Sequence, residues 1–236
     1  MSEQQKTLDA ALRQDFLSFM RKSFATASGG DQFLENWHLD AIGNQLNRVS
    51  DGDNKRLIVT MPPRYLKSIA ISVAWVAWML GRDPSCKFVC VSYSGDLAQK
   101  HASDCRAIMQ TEWYQRVFPN TRIKRGGNSE MDFRTTKGGG RLSTSVGGTL
   151  TGRGGDIIII DDPIKPEDAM SDATRKRVLN WYANTLISRL NDKARGQFCW
   201  SCKDCMKKIW QAISLKQENG SICAFRLLQK TTKGLP

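Results

Sequence analysis

The sequence predicts an α/β fold, a parallel sheet flanked by helices and preceded by N-terminal helices, and three observations predict it. Arg56–Met61, Lys87–Ser92 and Asp156–Ile160 are short apolar runs bounded by Gly, Pro, Ser or Asp, and they read as buried strands. The stretches between them carry apolar residues at helical spacing. Strands that alternate with helices imply right-handed crossovers and a sheet covered on both faces.

A helix is expected first from Leu8 to Thr26, stopped by Gly29-Gly30. A second starts near His38, with Leu39, Ile42, Leu46 and Val49 on one face. The first strand, Arg56–Met61, is closed by Pro62-Pro63. Lys67-Ser68 opens an apolar helix, Ile69 to Leu80, which Gly81 is expected to end. After the second strand, Lys87–Ser92, a helix runs from Asp96 to Gln110. Between Thr121 and Thr149 the pairs and triplets of glycine imply short strands and tight turns. The third strand, Asp156–Ile160, precedes a helix from Ser171 to Leu190, capped by Ser171 or Asp172.

Composition narrows the function classes. The chain has 236 residues, 40% of them hydrophobic and 25% charged, which is globular rather than disordered composition. No window approaches the roughly 18 uninterrupted apolar residues of a membrane span. Met1 to Thr7 is polar and lacks a secretory h-region, so a reducing compartment, the cytoplasm, and free thiols are expected. Cys86, Cys90 and Cys105 read as buried thiols. A net charge of +12 points to a polyanionic partner, most simply nucleic acid. The alternative is a basic but inert surface.

The chemistry concentrates in two places. Pro63-Arg64-Tyr65-Leu66-Lys67-Ser68 joins a buried strand to a helix, the layout of a phosphate-binding loop. A helix N-terminus there offers N–H groups to a phosphate, Lys67 reaches the terminal phosphates, and the Ser68 hydroxyl suits Mg²⁺. The match to the Walker A pattern is imperfect, because Met61 and Leu66 stand where its two glycines belong. An ordinary exposed Lys beside a helix-starting Ser is the alternative. The second place is the Ile157-Ile158-Ile159-Ile160 run with Asp161-Asp162-Pro163 after it, which puts two carboxylates at the carboxyl end of a buried parallel strand, where ligands bind in such sheets. Asp161 can hold a Mg²⁺ carried by Ser68, and Asp162 can orient or deprotonate an attacking water. A solvated turn that ends a core strand is the alternative here. With both halves present in the right order, ATP hydrolysis is the favoured reading.

These residues resemble the large terminase subunit of tailed bacteriophages. The likeness rests on Pro62 to Ser68, Gly147 to Gly154, and Ile157 to Ala169, with Trp181-Tyr182, Thr185 and Ser188-Arg189-Leu190, and it covers about residues 30 to 195. It implies an ASCE-type P-loop NTPase fold in which the phosphate loop comes after one strand and the acidic pair after its neighbour. It further implies ATP and Mg²⁺ as cofactors, Ser68 and Asp161 at the metal, Lys67 at the phosphates, and Asp162 as the catalytic carboxylate. Many P-loop ATPases have Glu at that last position, and Asp, one methylene shorter, shifts the water. Arg64 is the candidate for stabilising transition-state charge in the loop, and a plain surface charge is its alternative. Arg153 is assigned to DNA or to a neighbouring subunit. Trp37 and His38 lie where the family packs near adenine, with a structural aromatic and a capping His as the alternative. The partners implied are double-stranded viral DNA, a portal protein, a small terminase subunit and other copies in a ring, all in the bacterial host cytoplasm and none in a membrane.

Residues 1–30 are therefore expected to be a helical segment, 31–196 the ATPase domain, and 197–236 an aberrant tail. The tail contributes +5 of the net charge, leaving +7 on residues 1–196. Its Cys199-x-x-Cys202-x-x-Cys205 spacing suggests zinc only superficially, because Cys223 is a poor fourth ligand. Read from the third base of each codon, Trp200 to Ser214 can spell V-M-Q-R-L-H-E-E-D-L-A-G-H-L, similar to the segment after the ATPase core in terminases. Met206 before Lys207 must give Glu, and Trp210 before Gln211 must give Ala; most other letters use free codon choices. A frameshift just after Arg195 or Gly196 is expected, with a poorly packed tail and no nuclease domain. Three functions compete: the packaging ATPase, a non-enzymatic degraded prophage remnant that binds nucleotide or DNA without turnover, and a helicase-like ATPase. The last gains no support from the Thr-Gly-Arg-Gly and Asp-Asp-Pro-Ile-Lys-Pro runs.

Overall fold

Local capping starts the chain. The Ser2 side chain accepts from the Gln5 N–H at the head of α1 (Glu3–Gln14). The single helix expected to Thr26 is two helices. Asp15 leaves the helical region at φ −110°, ψ 114°, and its carboxylate accepts the Ser18 N–H at 2.7 Å to start α2 (Phe16–Ala27). These are features of a computed structural model that describes residues 2–29, 31–150, 152–202 and 223–226.

The sheet has seven strands among the described residues: β1 (Arg56–Thr60), β2 (Lys87–Ser92), β3 (Asp132–Arg134), β4 (Gly140–Ser145), β5 (Ile157–Asp161), β6 (Gln197–Cys202) and β7 (Cys223–Arg226). Their order is β3-β4-β2-β5-β6-β1-β7, and every pair is parallel except β3 with β4. The predicted α/β class and parallel sheet therefore hold.

Two expectations change. The acidic strand β5 does not neighbour the loop strand β1, because β6 lies between them. Nor is the chain poorly packed immediately past Gly196. Phe198, Cys199, Trp200, Ser201 and Cys202 are all buried, with Ile160 opposite Trp200 on one side and Ile58 opposite it on the other. Residues 203–222 and 227–236, which hold most of the alternative-frame string, lie outside the described residues.

Strand alternation sorts the core into two faces. Leu57, Val59, Phe88, Cys90, Ile157, Ile159 and Cys199 point to one face. That face is covered by α1, α2, α3 (Trp37–Ser50), α4 (Trp75–Arg82), α5 (Gly95–Gln110) and α6 (Glu112–Val117). Ile58, Val89, Val91, Ile158, Ile160, Phe198 and Trp200 point to the other, under α7 (Asp172–Trp181) and the turns to Arg189. Cys199 and Cys202 belong to opposite faces, so they cannot share an ion.

Helix α6 was not expected. Thr111 caps it, and Tyr114 packs among Phe19, Trp113 and Phe118 while its hydroxyl donates to the Ala77 carbonyl at 2.8 Å. Its neighbour Phe118 explains Gly81, which sits inside α4 rather than ending it. A Cβ on Gly81 would lie 2.6 Å from the Phe118 ring, so only glycine lets that ring close against the helix.

Candidate active site

The loop after β1 feeds directly into helix. Ile69–Ala74 forms wide π-type turns that run on into α4, and Ala70 N–H donates to Leu66 O at 2.8 Å. Arg64 (φ 68°), Leu66 (φ 58°) and Asp162 (φ 44°) are the three non-glycine residues with left-handed backbone among the described residues. Each costs roughly 1–2 kcal/mol, and all three fall at the carboxyl ends of β1 and β5. Leu66 stands where a glycine is usual, but its side chain packs on the core with that of Tyr65, which offsets part of the strain. Asp162 is held from both sides: its N–H donates to Ser201 O at 2.8 Å, and its carbonyl accepts the Tyr93 N–H at 3.1 Å. Strain concentrated in this way is typical of functional sites.

Pro63 through Ile69 and Asp162 line one cavity of about 300 Å³. The structure thus brings together the sequence-expected loop residues Pro63, Arg64, Tyr65, Leu66, Lys67 and Ser68 with Asp162. Lys67 is only 5% exposed, and its Nζ lies 2.8 Å from Asp162 Oδ2 and 3.6 Å from Asp161 Oδ1. One lysine therefore bridges the gap that β6 opens between the loop strand and the acidic strand. Arg64 is exposed at the rim of the same cavity.

Asp161 sits deeper, at 1% exposure. Its Oδ2 accepts the Ser72 hydroxyl at 3.1 Å and lies 3.6 Å from His101 Nδ1. Burial opposes its charge, but Lys67, then His101 and the Ser68 and Ser201 hydroxyls, hold its carboxyl below the usual carboxylate range. Burial likewise opposes charge on Lys67, yet Asp161 and Asp162 raise its ammonium above the usual lysine range. Asp161 and Lys67 are thus both charged at neutral pH. Asp161 Oδ1 has no hydrogen-bond partner. A buried carboxylate oxygen that accepts no hydrogen bond within the protein, faces Lys67 at 3.6 Å and lies beside Ser68 fits a divalent cation. Mg²⁺ in particular takes one or two protein oxygens, then phosphate and water. Among the described residues no group of three or more His, Cys, Asp or Glu forms a self-sufficient metal cage.

Arg153 is not part of this constellation. It lies before β5, at the amino end of the sheet, paired with Asp132 in a separate cavity of about 330 Å³. Trp37 is 64% exposed, and the buried His38 ring packs edge-on to Tyr65 with centroids 5.1 Å apart, so His38 braces the loop.

Sequence reasoning missed Ser72, His101 and Ser201. All come from elements packed on or beside β5, and only the facing alternation of β6 carried a signal for Ser201.

Both of the chain's histidines are pushed down, His38 and His101 each first by burial, with Asp40 opposing at His38 and Asp161 at His101. Below the unfolded value of about 6.5 the unfolded chain takes up protons that the folded chain refuses, so stability falls as pH falls. The limiting slope is about 1.4 kcal/mol per pH unit for each imidazole. Urea midpoints measured in EDTA should be lower at pH 5.5 than at pH 7.5, and equal midpoints would refute this.

A structure search matches the ATPase domain of the large terminase of Thermus phage P74-26, solved as a point mutant. The TM-score is 0.54 at 15% identity, covering 86% of this chain and 84% of that one. The chain thus has the fold of a phage large-terminase ATPase domain. No family model and no curated protein matches its sequence.

Proposed function

We propose that the chain is the ATPase module of a viral DNA-packaging motor, hydrolysing ATP with Mg²⁺ to drive double-stranded DNA into a procapsid. The observation that carries the reading is the convergence of Lys67, Ser68 and Asp162 on one cavity at the carboxyl ends of β1 and β5, with the buried Asp161 3.6 Å behind Lys67. The fold it shares with a terminase ATPase domain favours this motor over other ATPases.

The geometry suggests a sequence of events for the chain's own groups. In the resting site the Lys67 ammonium is held by Asp162. Nucleotide phosphates compete for that ammonium, and as Lys67 turns to them Asp162 is released to accept a hydrogen bond from the attacking water. Ser68 and Asp161 would hold the metal, which when bound would supply positive charge to neutralise charge developing on the phosphate oxygens. Arg64, at the cavity rim, stabilises the same charge from this subunit. Arg153, at the far end of the sheet, serves DNA or a neighbouring subunit of a ring. The portal protein and the small subunit complete the partners of this reading, and the unit that performs it takes in β6 as well as residues 31–196.

Purified protein with ATP, Mg²⁺ and duplex DNA should release phosphate, and Lys67→Ala should abolish the release. Lys67→Ala leaves a buried aspartate short of its cation, at a cost of about 3–5 kcal/mol, so melting of the variant must be recorded alongside. Nucleotide binding without release above the Lys67→Ala background would instead establish the non-enzymatic remnant. DNA affinity should fall steeply with salt.

A further inference from the structure

Arg141 is a charged residue in an unexpected place. It is 1% exposed, on β4, and no carboxylate lies within 4 Å of it among the described residues. Register puts it on the same sheet face as Asp161: Arg141 opposes Phe88, Ser143 opposes Cys90, and Ser145 opposes Ser92, which opposes Asp161. Its side chain runs along that face toward the carboxyl ends of the strands. Nε donates to Ser143 Oγ at 2.8 Å, and Nη1 donates to the Ser72 carbonyl. Ser72 belongs to the π-type segment Ile69–Ala74, and its own hydroxyl donates to Asp161 Oδ2. A chain of hydrogen bonds therefore runs from Ser143 through Arg141 and Ser72 to the carboxylate whose other oxygen accepts no hydrogen bond and faces Lys67 at 3.6 Å.

Burying a guanidinium without a paired carboxylate costs several kcal/mol, so a methionine or leucine would suit a purely structural position better. Wide π-type turns recur at functional sites, and here the planar fork of Arg141 pins one of them from the sheet side. We infer that Arg141, acting through Ser72, is a positioning residue for the metal-binding carboxylate Asp161. The inference rests on the proposed Mg²⁺–nucleotide reading of the site.

Outer partners that orient a metal's ligands typically contribute 10- to 100-fold in metal affinity or activity. The test compares the parent chain with Arg141→Met, Arg141→Lys and Ser72→Ala. The probes are Mn²⁺ bound in the presence of ADP, read by electron paramagnetic resonance, and a fluorescent ADP analogue bound in EDTA. Arg141→Met and Ser72→Ala should each weaken Mn²⁺ binding about tenfold, while analogue binding in EDTA changes less than threefold. Arg141→Lys keeps the cation and one donor, and should fall between Met and parent. The double variant Arg141→Met/Ser72→Ala should be no worse than the weaker single, because both cut one chain.

Parent-like Mn²⁺ binding in Arg141→Met, or an equal loss of metal-free analogue binding, overturns the inference and leaves Arg141 a structural residue. If Arg141→Met does not fold, Arg141→Lys decides by the same two readings. A parent chain that binds neither probe sinks the proposed function itself. A parent that binds both, with variants that match it, sinks only the positioning role.

Discussion

Replacing Asp162 with asparagine is expected to lower kcat for ATP hydrolysis by about 10²–10⁴-fold, the usual worth of a positioned general base, while nucleotide stays bound. The substitution is close to isosteric, and asparagine tolerates left-handed backbone as well as any non-glycine residue, so the φ of 44° at this position is no obstacle. What disappears is the negative charge that faces Lys67 at 2.8 Å and would face the attacking water. Lys67 keeps Asp161 at 3.6 Å, so the variant does not strand a buried ammonium. With its latch on Asp162 gone, Lys67 is free to meet phosphate, and nucleotide affinity should hold or rise. Single-turnover phosphate release and equilibrium binding measured on the same preparation separate the two effects. A kcat within threefold of the parent would show that Asp162 is a latch for Lys67 and nothing more.

That pairing also shows how far the sequence could lead. Strand β2 was legible to the residue, because Lys87–Ser92 is a bounded apolar run with turn residues at each end. The Asp161-Asp162 pair was legible because four isoleucines leave little choice but a buried strand that delivers the next two residues to its carboxyl edge. Strand order was not legible. It depends on β6, which enters the sheet from far along the chain, and local propensity carries no record of that. The partners of Asp161 were hidden for the same reason. Ser72, His101 and Ser201 each lie in a different element, and only packing brings them to one carboxylate. Arg141 was hidden by a sound rule, that a lone arginine in an alternating strand belongs in water. The structure breaks that rule at the site, where rule-breaking is most informative. Leu66 is the converse case: its departure from the glycine pattern was visible in the sequence, but its compensation, packing on the core, was not.

Trp200→Ala is expected to lower folding stability by about 3–5 kcal/mol, the range for deleting a buried aromatic ring. The size of the effect decides whether the chain past Gly196 belongs to the fold. Trp200 is 3% exposed, pairs in register with both Ile160 and Ile58, and meets the Tyr182 ring at 5.1 Å between centroids. Its removal would open a cavity between the sheet and the helical segment that carries Tyr182, in a chain whose total stability is on the order of 5–15 kcal/mol. At roughly 2–4 °C per kcal/mol for a domain of this size, the melting temperature should fall by about 10 °C. Trp37→Ala provides the contrast. That side chain is 64% exposed, so its loss should stay within about 0.5 kcal/mol. The aromatic and cysteine-rich run Gln197–Cys202 lacks the Val and Ile expected of a central strand, and the terminase resemblance, which stops before it, leaves it in the tail. Yet a parallel strand between β5 and β1 needs only residues that tolerate full burial on both faces, and Phe, Cys, Trp and Ser do. If Trp200→Ala and Trp37→Ala destabilise equally little, the run is not in the sheet, and Asp161 and the Asp162 backbone lose the Ser201 contacts that hold them in place.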